Sequence, residues 1–163
     1  TVSQLARYTT AIANKGTVYN LSLLDKVTSV DGNVIKEYEP EVASTITDVP
    51  DSYWNAVHTG MRNMVISHGD LFPKLNASDV ELSGKSGTAQ QSKTHPDHGL
   101  FIGFAPSDSP EVAFAVRIAN GYSSNYACDI ANYVLEYYYE ITPENELITG
   151  KAAKVTSGAI GGD

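Results

Sequence analysis

The sequence predicts an α+β protein in which an antiparallel sheet is flanked by helices. Three observations carry that expectation. Apolar residues recur at helical spacing in segments near both ends of the 163-residue chain. Between them lie runs that alternate apolar and small or polar residues. Clusters of Gly, Pro, Asp and Ser separate those runs, as turns between antiparallel strands require.

Taken in order, Val2 to Asn14 places Leu5, Ala6, Ile12 and Ala13 on one stripe, bridged by Thr9. Thr1 or Ser3 suits the N-cap, and Gly16 suits the left-handed residue that closes a helix. Two β-leaning runs follow, Leu21 to Val30 and Asn33 to Tyr38, on either side of Asp31-Gly32, a pair fitted to a tight hairpin turn. Pro40 and Pro50 bracket a polar connector. A second helix is expected after Asp51 or Ser52 as cap. Its core stripe is Trp54, Val57, Met61, Met64 and Val65, and Gly69 ends it. Three strands are then predicted: Val80 to Gln91, weakened by Gly84 and Gly87; Leu100 to Phe104, ended by Ala105-Pro106; and Val112 to Ile118. The turn formers from Pro106 to Pro110 imply that the last two pair antiparallel, and Asn120-Gly121 breaks the third. A final helix carries Ala127, Ile130, Ala131, Val134, Leu135 and Tyr138 at i, i+3, i+4, i+7, i+8 and i+11, capped by Ser123, Ser124 or Asn125. Residues 1–141 are expected to pack, and 142–163, rich in Gly, Ala, Lys and Ser toward its end, to form a flexible tail.

Composition excludes several functions. Eleven Lys and Arg stand against 19 Asp and Glu, a formal charge of −8, so a nucleic-acid partner and an anionic membrane surface are both disfavoured. No window approaches the ~20 consecutive apolar residues of a membrane span. The single cysteine, Cys128, excludes an internal disulfide and a Cys-based zinc site.

The most unusual local sequence is Gly84-Lys85-Ser86-Gly87-Thr88-Ala89-Gln90. Lysine is depleted in strands and two glycines in one strand are costly, so something other than strand propensity selects them. Lys85, Ser86 and Thr88 together can hold a carboxylate by charge and by O–H donors, and bare strand N–H groups at Gly87 can pair with an extended peptide. An edge strand that uses Lys and Gly to block aggregation has the same composition, and residue types alone leave both readings open. Strand alternation puts Lys85 and Gly87 on one face and Ser86 and Thr88 on the other. One site can therefore use all four only at an exposed edge.

Other clusters are simpler. His95, Asp97 and His98 fall in a loop before the second strand, without the cysteine or helical histidine partners of a metal site, and read as solvated. His58 and His68 have no nucleophile beside them. Cys128 reads as a small buried residue, and Tyr133, Tyr137, Tyr138 and Tyr139 as packing.

Lys85-Ser86-Gly87 resembles the Lys-[Ser/Thr]-Gly signature of the penicillin-recognising serine transferases and hydrolases. The likeness extends along the chain. Thr1 to Ala6 and Ala13 to Gly16 resemble the helix before that signature in class B penicillin-binding proteins. Val57-His58-Thr59-Gly60-Met61-Arg62 resembles their helix ending in a Gly-Met pair. His98 to Pro106 and Glu111 to Gly121 resemble the strands that follow, with Leu100 where relatives usually carry an aromatic residue. The resemblance runs from Thr1 to about Tyr139 and implies the penicillin-binding/β-lactamase-like fold.

No Ser in the chain is followed three residues later by Lys, so the family's Ser-x-x-Lys nucleophile motif is absent. Ser123-Ser124-Asn125 has the letters of the second signature but lies after the last strand, where it reads as a helix cap. The resemblance therefore implies the C-terminal part of a transpeptidase domain, inactive alone. Its parent would cross-link D-Ala-D-Ala stem peptides of peptidoglycan by serine acyl transfer, bind β-lactams, need no cofactor or metal, and sit in the cytoplasmic membrane with this domain outside. By the same resemblance Lys85 and Thr88 are catalytic, through site charge and an oxyanion-hole N–H, while Ser86, Gly87 and Thr88 bind substrate. A β-lactam sensor, a β-lactamase-like domain and a non-catalytic interaction module are the alternatives. Lacking its other half, the chain is expected to be soluble and to expose an apolar face able to pair with a copy of itself.

Overall fold

A computed structural model describes residues 1–147. Helix α1 spans Val2–Ala13. Thr1 caps it with a reciprocal pair: its hydroxyl accepts from the Gln4 N–H, and the Gln4 side chain reaches back to the N-terminal amine at 2.8 Å. Gly16, at φ +112°, turns the chain out of the helix as expected.

Four short strands follow: β1 (Thr17–Tyr19), β2 (Lys26–Thr28), β3 (Val34–Glu37) and β4 (Val42–Thr45). β2 and β3 are the expected hairpin around Gly32 at φ +83°, shorter than the β-leaning runs. The polar connector after Pro40 is a correction. It contains β4, which pairs antiparallel with β1 (Thr17 opposite Thr45) and returns the chain to the end of α1. β1 is half-buried and β4 is exposed along its length, so no apolar run was needed to build the pair.

Helix α2 covers Asp51–Ser67. Its cap is Pro50, with no side-chain bond, and Asp51 lies inside the first turn, where its charge suits the helix dipole. The expected core stripe is corrected as well: only Met61 and Val65 are buried, and Val57 is exposed. The Gly60-Met61 pair lies mid-helix. His68, not Gly69, is the closing residue, its Nδ1 3.0 Å from the Met64 carbonyl. A 3-10 turn (Gly69–Leu71) and short α3 (Pro73–Ala77) then lead into the main sheet.

That sheet has three antiparallel strands in the order β5 (Ser83–Ala89), β6 (His98–Ala105), β7 (Val112–Ile118). β5 is shorter at both ends than the expected Val80 to Gln91. Helix α4 (Asn125–Tyr138) crosses one face, and a four-residue α5 (Glu144–Leu147) follows. Phe101 and Ala105 meet Ala127, Cys128, Ala131 and Leu135 of α4, with Val65, Phe72, Leu75 and Leu82 closing the main core. On the opposite face Phe104 and Ala113 pack against Ile12, Ala13 and Met61.

The buried face of α4 is turned from the expected stripe toward Cys128, Asn132 and Glu136; Ile130, Val134 and Tyr138 are exposed. Two polar residues are tolerated inside because they bond each other. The Asn132 amide and the Thr142 hydroxyl each donate to the Glu136 carboxylate at 2.6 Å, and Lys74 approaches it at 3.5 Å. Thr142 is therefore packed, although the expected tail began there. The remainder of that tail, 148–163, lies outside the described residues. With Tyr126, Tyr133 and Tyr137, the exposed residues of α4 form an apolar face left open among the described residues.

Candidate functional site

Among the described residues strand β5 is an edge strand, hydrogen-bonded on one side only, to β6. Register places Lys85 opposite Ile102, Ser86 opposite Phe101, Gly87 opposite Leu100 and Thr88 opposite Gly99. Lys85 and Gly87 therefore share the face of Phe104 and α1, while Ser86 and Thr88 share the face of Phe101 and α4. The two faces are reconciled at the free edge. The Lys85 stem bends along the strand, and its Nζ donates to the Ser86 carbonyl at 2.8 Å, bringing the ammonium against the backbone between the two sets.

The strand is sealed at its start and open at its end. Ser83 and Gly84 are buried, Ser86 and Gly87 half-buried, and Lys85, Thr88 and Ala89 exposed. The two glycines act differently. A Cβ on Gly84 would lie 2.3 Å from the Phe101 ring, so this glycine lets the core close beneath the site. A Cβ on Gly87 would meet only the Leu100 Cβ, at 3.9 Å, so the surface above Gly87 is clear.

The histidines are placed as follows. His58 is structural: its Nε2 lies 2.8 Å from the Ile12 carbonyl, and its ring packs on Phe104 with centroids 4.7 Å apart. His98, expected in a solvated loop, opens β6 and is buried. Its Nδ1 accepts from the Asn120 N–H at 2.9 Å, which leaves Nε2–H to donate to the Gln91 side-chain oxygen. Among the described residues no group of three or more His, Cys, Asp or Glu is placed to hold a metal ion. Ser124 is the N-cap of α4, one of the three residues expected there, and makes no side-chain capping bond; the hydroxyl of Ser123, just before it, accepts from the Asn125 N–H at 3.2 Å. Burial pushes the Cys128 thiol up to about 12, against a partial offset from the Lys85 charge, so it is an inert core group.

Residues 1–139 fit the model of the penicillin binding protein transpeptidase domain. The chain belongs to the penicillin-binding protein transpeptidase family.

Among members of this family, the chain is 30% identical over 152 residues to the peptidoglycan D,D-transpeptidase MrdA of Haemophilus influenzae, an alignment covering 83% of this chain and 23% of that protein. Among solved structures, the D,D-transpeptidase domain of a peptidoglycan glycosyltransferase from Eggerthella lenta superposes with a TM-score of 0.68 at 25% identity, over 86% of this chain and 32% of that one. The imipenem acyl-enzyme complex of penicillin-binding protein A from Mycobacterium tuberculosis gives 0.65 at 25% identity, over 82% of this chain and 29% of that one. The chain thus spans about a quarter of the curated relative and about a third of the solved transpeptidase domains.

One group of polar residues escaped the sequence reading. Gln91, Ser92, His95, His98, Arg117 and Asn120 converge on one cavity. They come from two loops and two strands, so no local motif announces them. The one available signal was Arg117, the single charged residue of β7.

Proposed function

We propose that Lys85-Ser86-Gly87-Thr88 is the substrate-binding strand of a peptidoglycan D,D-transpeptidase. The observation that carries this reading is the Lys85 ammonium held against the backbone of an exposed edge strand, with a bare glycine beside it and hydroxyls on both sides of that glycine. An extended peptide ending in D-Ala-D-Ala pairs with the free edge. Ser86 and Thr88 donate to its terminal carboxylate, and Lys85 supplies the countercharge. The Thr88 N–H is one donor to the oxygen of the carbonyl under attack.

The acylated serine and its lysine come from polypeptide beyond these 163 residues, because Ser-x-x-Lys occurs nowhere in them. In the reaction, that serine oxygen attacks the penultimate D-Ala carbonyl. The terminal D-Ala leaves as the amine, and a second stem peptide's amine then displaces the serine to form the cross-link. β-Lactams enter as mimics that carry the same carboxylate and a reactive amide. The parent is membrane-anchored with this domain outside the membrane, and its anchor is not among the described helices, none of which is long and apolar enough to cross.

The test is Lys85→Ala in the full-length protein, read as the second-order rate of acylation by a fluorescent penicillin. A loss of about 100-fold or more is expected, the scale of removing one electrostatic stabiliser from an acyl-transfer site. Acylation at the wild-type rate would overturn the reading and favour an interaction module on the same fold.

A further inference from the structure

A cavity of about 320 Å³ lies between α4, the 3-10 turn, the start of α3 and the segment that runs through Thr142 into α5. None of its lining residues belongs to a strand, so it is separate from the Lys85 edge. Four carboxylates line it: Asp70 of the turn, Asp129 and Glu136 of α4, and Glu146 of α5. One cation, Lys74, lines it too, and that ammonium is already engaged, with Glu136 at 3.5 Å and the Thr142 hydroxyl at 2.8 Å. Asp70, Asp129 and Glu146 make no ion pair among the described residues.

Unpaired carboxylates are ordinary in a chain of charge −8, but a buried unpaired amide is not. Asn132 also lines the cavity and is 5% exposed. Its Nδ2 donates to the Glu136 carboxylate at 2.6 Å, while its Oδ1 has no hydrogen-bond partner among the described residues. The bond to a carboxylate fixes which end of the amide is which, because only the NH₂ group can donate there. Oδ1 is therefore an acceptor still short of a donor. Asp129 stands three residues earlier on the same helix face, half-buried. Burial pushes its carboxyl above the ordinary value, and no nearby cation pulls it back. One charged and one neutral acceptor thus lie side by side, both without a donor.

The donor that fits carries a positive charge and more than one N–H. Among the described residues no group of three or more His, Cys, Asp or Glu is placed to hold a metal ion, so these acceptors do not converge on a point charge. Leu71, Pro73 and Leu147 supply apolar wall between them, and Tyr133 an aromatic face at the rim. We infer that this cavity is a binding site for an alkylammonium group, which donates to the Asp129 carboxylate and the Asn132 Oδ1 and lays its stem on Leu71, Pro73 and Leu147. Asp70 and Glu146 add negative charge at the exposed rim. A lysine side chain and a free aliphatic amine share this chemistry. The site takes no part in acyl transfer and does not depend on the substrate reading given above.

The experiment titrates the full-length protein calorimetrically with n-pentylamine, with 1-pentanol, which has the same stem and no charge, and with N-acetyl-lysine methylamide. Wild-type protein is expected to bind pentylamine about tenfold more tightly than pentanol, the scale of one charge-assisted contact at a partly exposed site. Asp129→Asn, which removes the charge and keeps the shape, should weaken pentylamine about tenfold and leave pentanol unchanged. Labelling of that variant by a fluorescent penicillin at the wild-type rate shows that it is folded. Glu146→Gln, on the rim, should weaken pentylamine by a smaller factor, and it decides the matter if Asp129→Asn does not fold. Equal binding of pentylamine and pentanol overturns the site, as does a pentylamine affinity unchanged in the folded variant. Magnesium that displaces pentylamine overturns it in favour of a metal site. Tighter binding of N-acetyl-lysine methylamide than of pentylamine upholds the site with a protein side chain as occupant, and the reverse order upholds it with a free amine.

Discussion

Cys128 shows what a single residue's surroundings dictate. Its side chain is fully buried between Phe101 and Ala131, and desolvation is the main reason its thiol is pushed up to about 12. In the unfolded chain the same thiol ionises near its ordinary value of 9.0. A folded-state pKa above the unfolded one means that the native state keeps a proton the unfolded state releases. This contribution to stability is therefore complete below pH ~9 and is lost progressively as pH rises toward 12, by at most ~1.4 kcal/mol per unit. Denaturation midpoints measured at pH 8 and pH 10.5 should fall more steeply in wild type than in Cys128→Ala; parallel falls would refute the assignment. Lys85 illustrates the same dependence in the opposite direction. Its type and position in a Gly-flanked strand marked it in the sequence. The bend that places its ammonium on the Ser86 carbonyl depends on β5 being an edge, which no local pattern encodes.

At the scale of elements, α4 is the instructive case. Its apolar residues occupy more than half of the helix surface, so spacing identified the helix but could not choose its inward side. The choice falls to the polar pair Asn132 and Glu136, which can be buried only where Thr142 and Lys74 satisfy them. Lys74 comes from α3 and also donates to the Thr142 hydroxyl at 2.8 Å, so one ammonium ties α3, α4 and the segment after α4 together. Removing it leaves a buried carboxylate without its cation. Lys74→Ala is expected to lower unfolding free energy by about 1–3 kcal/mol, reduced from the full buried-pair cost because the lysine is half-exposed. Lys74→Ala together with Glu136→Gln should recover part of that loss in urea titrations, since the double change removes the stranded charge. No recovery would show that the network is not coupled. The β1–β4 pair escaped sequence reading for a related reason: its strands are short, β4 is exposed along its length, and their pairing is set by the return of the chain to α1, not by alternation.

At the scale of the whole molecule, the three-stranded sheet holds the Lys85 strand on one edge, but the chain holds no Ser-x-x-Lys motif. The expected outcome is that these 163 residues, incubated with a fluorescent penicillin, acquire no covalent label on a denaturing gel, while the full-length protein labels. A labelled short chain would mean that a serine outside the Ser-x-x-Lys pattern is activated. The order of the main helices and strands, the unusual composition of the Lys85 strand and the family likeness all follow from the linear chain. Each depends on residues within one or two turns or strands of one another, and periodicity, capping and turn chemistry act at that range. The face of α4 that turns inward, the burial of His98, and the meeting of Gln91, His98, Asn120 and Arg117 in one cavity were decided only by folding. Those contacts join residues far apart in the chain. Which of them form is fixed by strand register and by the requirement that every buried polar group find a partner.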